Sequence, residues 1–184
     1  MKFIVALAAV LSAFMGGAFS QNLYLASECK VSFFSSAPLE DIDAATTRAT
    51  SALNGADGSI AFKIPIKTFE FPNKLMQEHF NENYMESDKY PEAQFAGKIV
   101  EIDRIDLKKP ADYTVTVKGD MTIHGVKKPF ETKGVLSVKA DGKIHANAKF
   151  PIALADYNVK IPTMVVKNIA EVVEVKVNAV YAKK

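Results

Sequence analysis

The residues able to do chemistry are few and badly spaced for it. The chain carries three histidines, His79, His124 and His145, and one cysteine, Cys29. No histidine pair has a ligand spacing such as H-x-x-x-H or H-E-x-x-H, and Cys29 is distant in sequence from all three, which argues against a zinc centre. No G-x-S-x-G, phosphate-binding glycine loop or G-x-G-x-x-G is present, so neither an activated serine nor a nucleotide cradle is indicated. Carboxylates gather at Glu40, Asp41 and Asp43 and again at Glu78, Glu82, Glu86 and Asp88, as on solvated faces rather than in acid–base pairs. The expectation is therefore a protein with no catalytic residue, no metal and no cofactor. His79 is expected as a hydrogen-bonded structural residue on the apolar side of a short helix, His124 in a turn and His145 on an outward strand face. One cysteine permits no intramolecular disulfide, so an apolar core must hold the fold. Cys29 itself reads as a small apolar residue on the first strand.

Composition bounds what could position a site. Of 184 residues 48% are hydrophobic and 24% charged, an ordinary globular balance, and a net charge of +2 gives no nucleic-acid footprint. The first 20 residues differ: Lys2 precedes an apolar run from Phe3 to Met15, followed by Ala18-Phe19-Ser20. That pattern is expected of a secretory signal cleaved before Gln21, leaving one periplasmic or secreted domain over 21–184. The run is shorter than the roughly 20 apolar residues of a membrane span, so no stable membrane insertion is expected. No cysteine stands at the cleavage site to carry a lipid anchor.

Most of the remainder alternates with the period of a strand. Cys29, Val31 and Phe33 share one face of a first strand within Glu28 to Phe34. Ile60, Phe62, Ile64 and Ile66 alternate in the next clear one. Further strands run from Phe95 to Ile102, from Tyr113 to Met121 and from Phe130 to Val138, with a Gly- and Pro-containing turn over Thr122 to Pro129. Asp141-Gly142 signals a hairpin leading into Ile144 to Leu154, and Val172 to Tyr181 closes the series. Two segments break the pattern. Pro38 to Leu53 places Leu39, Ile42, Ala45, Ala49 and Leu53 on a helical stripe ending at Asn54-Gly55, which predicts an amphipathic helix. Leu75, Met76, His79 and Phe80 line one side of a shorter helix behind an Asn73 cap. A further short helix is expected around Met164 to Ile169.

Strands with one apolar and one charged face must bury the apolar face against a second layer or within a closed sheet. The fold class expected is all-β, an antiparallel barrel of about eight strands with one or two short flanking helices, since closure removes exposed edges. A two-sheet sandwich satisfies the same alternation. Small inward residues, Gly119, Gly134, Ala146 and Ala148, leave room for a ligand inside such a barrel.

The segments LMQEHFNENYMESDKYPEAQF (Leu75 to Phe95), VKGDMTIHGVKKPF (Val117 to Phe130) and FKIPI (Phe62 to Ile66), with ALADYNVKIP (Ala153 to Pro162) more loosely, resemble the YceI-like family of exported polyisoprenoid-binding proteins. The resemblance implies a lipocalin-like extended barrel whose hydrophobic pore takes the long isoprenoid tail of an amphiphile, without catalysis. The family usually opens with a Trp-containing strand, whereas this chain has no Trp.

Joining the strand faces to the short helix nominates a tunnel lining. Phe62, Ile64 and Ile66 lead into Phe69 and Phe71; Leu75, Met76 and Phe80 return on the helix; Tyr84 and Phe95 follow where the chain re-enters the barrel. Val115, Val117, Ala148, Phe150 and Ile152 face them from across, and Phe33 joins from the first strand. The favoured partner is an isoprenoid or other long-chain lipid, held for storage or transport. The alternative is a non-enzymatic interaction or scaffold domain whose barrel is filled by its own side chains. A homodimer is compatible with either.

Overall fold

The computed structural model describes residues 22–161 and 169–184. The expected signal segment lies outside them, as does the expected helix around Met164 to Ile169 apart from Ile169 itself. The described chain forms β1 (Leu23–Ser36), β2 (Asp41–Thr46), β3 (Thr50–Asn54), β4 (Ser59–Pro65), α1 (Lys74–His79), β5 (Glu92–Ile99), β6 (Ala111–Ile123), β7 (Val126–Val138), β8 (Ile144–Ala153) and β9 (Val172–Lys183). Neighbouring strands pair antiparallel, and β1 pairs with β9 to close the sheet. The result is an eight-stranded barrel with one extra strand, not a sandwich.

The extra strand corrects the helix expected over Pro38 to Leu53. Along one edge of β1, β2 pairs with Val31–Ser36 and β3 with Leu23–Leu25, so together they occupy one strand position broken between Thr46 and Thr50. The inward residues of this interrupted strand are Ala44, Thr46, Ser51 and Leu53, all buried. Leu39 of the expected helical stripe is instead 68% exposed. Small and hydroxyl side chains concealed the period of two. The decisive force is the row of unpaired N–H and C=O groups that β1 would otherwise present, which a helix cannot satisfy.

Local devices shape the closure. The register of β1 against β9 shifts between Ala26 and Glu28, and the inward set changes phase there from Tyr24 to Cys29 and Val31. Such a bulge adds the twist a closed sheet requires. Gly97 of β5 stands opposite Gly119 of β6. A Cβ on Gly119 would lie 2.4 Å from the Gly97 Cα, so these strands approach more closely than any other residue pair would allow. Gly119 therefore serves strand contact and does not enlarge the interior as its inward position suggested.

The two ends of the barrel differ. At one end Leu53, Ile99, Leu136, Ile144 and Tyr181 are at most 2% exposed and form a solid layer. The Tyr181 hydroxyl is tied to that of Ser51 at 2.5 Å, which satisfies both buried groups. The opposite end carries the β1–β2 turn, the long β4–β5 connection with α1, the His124-Gly125 turn and the β8–β9 connection. There the β4 direction is abandoned after Pro65 for a 3-10 turn, Ile66–Thr68. The chain then returns to β2 through paired hydrogen bonds between Ala45 and Glu70 and a 2.7 Å bond between the Thr46 and Thr68 hydroxyls.

Candidate functional site

Above the solid layer the barrel encloses an apolar cavity of about 390 Å³, open toward the end bearing α1. Ligand pockets commonly measure roughly 300–1,000 Å³, so the space is ample for a ligand and far larger than a packing defect.

The strands build its walls through their alternation. Val115, Val117 and Met121 line it from β6, Ala148, Phe150 and Ile152 from β8, and Phe62 and Ile64 from β4. Beside the small residues Gly134, Ala146 and Ala148, Val175 and Val177 continue the wall on the neighbouring strand β9. Two aromatic groups frame this space. The first joins β1 to the β4–β5 connection: Phe33 stands 5.5 Å from Phe69, 5.9 Å from Phe71 and 5.5 Å from Phe80, ring centre to ring centre. The second spans β5, β7 and β8, with Phe130 6.2 Å from Phe95 and 4.8 Å from Phe150. Offset and edge-on rings at these separations attract one another while presenting hydrocarbon faces inward.

The short helix starts where expected, with the Asn73 side chain accepting from the Leu75 N–H at 2.9 Å. Its turn continues as a π-turn over Phe80–Tyr84, which brings Phe80 and Tyr84 to the cavity. Met76 also reaches it. Leu75 does not: its side chain is 57% exposed and faces solvent, which corrects its place in the nominated lining. His79 is exposed at the rim and its ring makes no hydrogen bond among the described residues, contrary to the structural role expected of it. Every other nominated residue lines the cavity: Phe33, Phe62, Ile64, Ile66, Phe69, Phe71, Met76, Phe80, Tyr84, Phe95, Val115, Val117, Ala148, Phe150 and Ile152.

Several lining residues escaped nomination. Phe130, Val173, Val175 and Val177 lay in alternating patterns and were within reach of the same reasoning; Ile42 was hidden by the helical reading of β2, and Met85 follows the π-turn.

His124 ties the opening together. It occupies the β6–β7 turn with φ 51° beside Gly125 at φ 73°, the left-handed pair of a tight hairpin. Its Nε2 lies 2.9 Å from Glu86 Oε2 after the helix, and its Nδ1 lies 3.2 Å from the carbonyl oxygen of Tyr157 in the β8–β9 connection. Both partners accept, so a ring nitrogen that carries hydrogen donates to the partner it faces. The ring also packs edge-on against Tyr90 at 4.5 Å. Three separate connections around the mouth are thereby joined through one side chain.

The family model of the YceI-like domain matches residues 27–181. The chain belongs to the YceI-like family. Solved structures similar to this member include a polyisoprenoid binding domain from Saccharophagus degradans, with 16% identity, 89% of this chain and 99% of that one covered, and a TM-score of 0.76. Burkholderia cenocepacia BcnA is 19% identical over 83% of this chain and 95% of its own, with a TM-score of 0.68. A Campylobacter jejuni YCEI protein is 18% identical over 74% and 80%, with a TM-score of 0.51. No curated protein matches this YceI-like chain. At these identities the likeness is one of fold.

No group of three or more possible metal ligands occurs among the described residues, and no described helix is long and apolar enough to cross a membrane. Burial pushes the Cys29 thiol up to about 11 from 9.0, and raises Tyr181 against the opposing hydrogen bond of Ser51. Both groups are neutral in the fold and lose protons at lower pH once unfolded. The Cys29 contribution is complete below about pH 9 and is lost as pH rises toward 11, and that of Tyr181 begins to be lost only above about pH 10. Melting temperature is thus expected to hold from pH 7 to 9 and fall above it. The Cys29→Ala variant should fall less steeply; an identical alkaline slope would show that the thiol is not involved.

Proposed function

We propose that this chain is an exported lipid-binding protein that holds the long apolar, isoprenoid-like tail of an amphiphile inside its barrel, for storage or transport. The observation that carries the reading is the open apolar cavity: a scaffold domain would fill its barrel with its own side chains, whereas here Gly134, Ala146 and Ala148 leave one wall shallow. The polyisoprenoid-binding description of the Saccharophagus degradans domain supports the same ligand class. Export is supported by the Lys2 and Phe3 to Met15 pattern ahead of Ala18-Phe19-Ser20.

The energetics favour a tail over a head as the main source of affinity. Each methylene buried contributes roughly 0.8 kcal/mol, so a few isoprene units exceed the cost of immobilising the ligand. Polar groups at the rim, among them the Tyr84 hydroxyl and His79, are left to meet the head. Desolvation raises the Tyr84 hydroxyl above its usual range, so it stays a neutral donor there at ordinary pH.

Calorimetric titration of delipidated protein with geranylgeraniol in mild detergent tests this directly. Saturable one-to-one binding with a negative heat-capacity change is expected, the mark of apolar burial. Absence of saturable heat at several temperatures would overturn the lipid reading.

A further inference from the structure

The barrel wall is not sealed along its whole height. β7 stays paired with β6 from Val126 to Val138, and β8 with β9 from Ile144 to Ala153. To each other they pair only from Val138 opposite Ile144 to Gly134 opposite Ala148, after which each strand runs on with a single neighbour. The sequence accounts for the break. In the same register Lys133 would next meet Lys149, and like charges placed directly opposite weaken a strand pair. Farther on, Pro129 and Pro151 bring no N–H to a ladder. Toward the α1 end the gap is bounded again by side chains: Phe130 and Phe150 meet edge-on at 4.8 Å, and Lys128 reaches Asp156, in the turn after β8, at 2.6 Å. What lies between is a window in the wall. Val135 and Asn147 stand where the pairing ends; both are exposed and face outward by strand alternation, yet both line the cavity. The apolar space thus reaches the outer surface here as well as at the α1 end.

The two openings differ in charge. Glu40 lines the cavity near the α1 end, where Glu78 and Glu82 are exposed. At the window three lysines share one carboxylate: Lys149 and Lys176 stand 2.7 and 3.4 Å from Glu174, and Lys133 has no ion-pair partner among the described residues. Glu131, on the same face of β7 as Lys133, is already paired with Lys118 at 3.0 Å. An anion held between Lys133 and Lys149 gains charge-assisted hydrogen bonds that a neutral group cannot match, and it relieves the repulsion between the two ammonium groups.

We propose that this window binds the anionic head of an amphiphile, a phosphate carried on an apolar tail, with Lys133 and Lys149 donating to its oxygens. The inference rests on the lipid-binding reading above and deepens it by naming the charge of the head. The tail runs inward past Gly134 and Ala148, whose small side chains leave the passage open. A neutral head is served at the rim by Tyr84 and His79, whereas a phosphate there would face Glu40, Glu78 and Glu82.

The experiment compares heads on one tail. Delipidated protein in a mild nonionic detergent is titrated calorimetrically with geranylgeranyl phosphate, with geranylgeraniol and with inorganic phosphate. Wild type is expected to bind the prenyl phosphate about tenfold more tightly than the alcohol at low salt, an advantage that shrinks at high salt, and to give no saturable heat with inorganic phosphate. The double variant Lys133→Ala, Lys149→Ala should lose the advantage while its affinity for the alcohol, which also reports that it is folded, stays at the wild-type value. Lys74→Ala, on α1 at the other opening, should keep it. Equal affinity of wild type for the two prenyl compounds, a preference that survives in the double variant, or one lost in Lys74→Ala would overturn the window as the head-group site while leaving lipid binding intact. Inorganic phosphate bound as tightly as the prenyl phosphate would overturn a lipid head as its ligand. Failure to bind either prenyl compound would instead overturn the lipid reading, and the head-group site with it.

Discussion

Ala148→Phe will abolish tail binding while leaving the empty protein about as stable as wild type. Ala148 sits on β8 opposite Gly134, half-buried, with its methyl facing the cavity. A benzyl group there projects into free space between Phe150 and Val177 rather than into packed atoms. Overpacking a filled core costs roughly 1–3 kcal/mol, so a melting temperature within experimental spread of wild type is itself evidence that the space is empty. The ring displaces about one isoprene unit of ligand, whose five carbons at roughly 0.8 kcal/mol each correspond to about 4 kcal/mol, an affinity loss of roughly a thousandfold. Calorimetry on both proteins, beside their melting curves, measures the pair of effects. Strong destabilisation with unchanged binding would show that the wall is solid at this position and that the tail lies elsewhere.

Leu53→Ala should do the reverse. Leu53 is wholly buried in the solid layer and does not line the cavity. Removing its isobutyl group leaves a void among Ile144, Tyr181 and their neighbours, where the closed sheet cannot collapse. A loss of about 2–5 kcal/mol is expected, which for a domain of this size lowers the melting temperature by roughly 5–15 °C. Affinity per folded molecule should stay near that of wild type. Equal stability in Leu53→Ala would mean that the layer is not packed. The two variants thus separate a lower half of the barrel that holds the fold from an upper half that holds the ligand.

This division could not be read from alternation. Along β8 the inward positions Ile144, Ala146, Ala148, Phe150 and Ile152 follow one unbroken period, yet Ile144 is sealed in the solid layer and Ala148 borders empty space. Which inward residue packs and which leaves a gap depends on register across the barrel and on the taper between strands, neither of which is local. What alternation did reveal was the strand count to within the split position, the inward faces and hence nearly all of the proposed lining. The failures have physical causes too. β2 and β3 looked helical because their buried residues are largely Ala, Ser and Thr, whose weak apolarity blurs the period. The β1 edge recruits them through backbone hydrogen bonds, and these leave no mark on the side-chain pattern. Leu75 was assigned inward on helical spacing, but α1 crosses the opening at its rim and leaves that residue in solvent.

His124 shows a further limit. Its turn was visible in Ile123-His124-Gly125, but its partners Glu86 and Tyr157 lie 38 and 33 residues away, and only the closed barrel brings them within hydrogen-bonding distance. The mouth is therefore built from long-range contacts, while the walls are built from local pattern.

The most direct test of the central claim is the native mass of the wild-type protein recovered from its producing cells without detergent. The account predicts a one-to-one adduct that denaturation releases as an amphiphile with an isoprenoid or similarly long apolar tail. Protein that emerges free of lipid, and stays free after exposure to a lipid extract of the same cells, would contradict it.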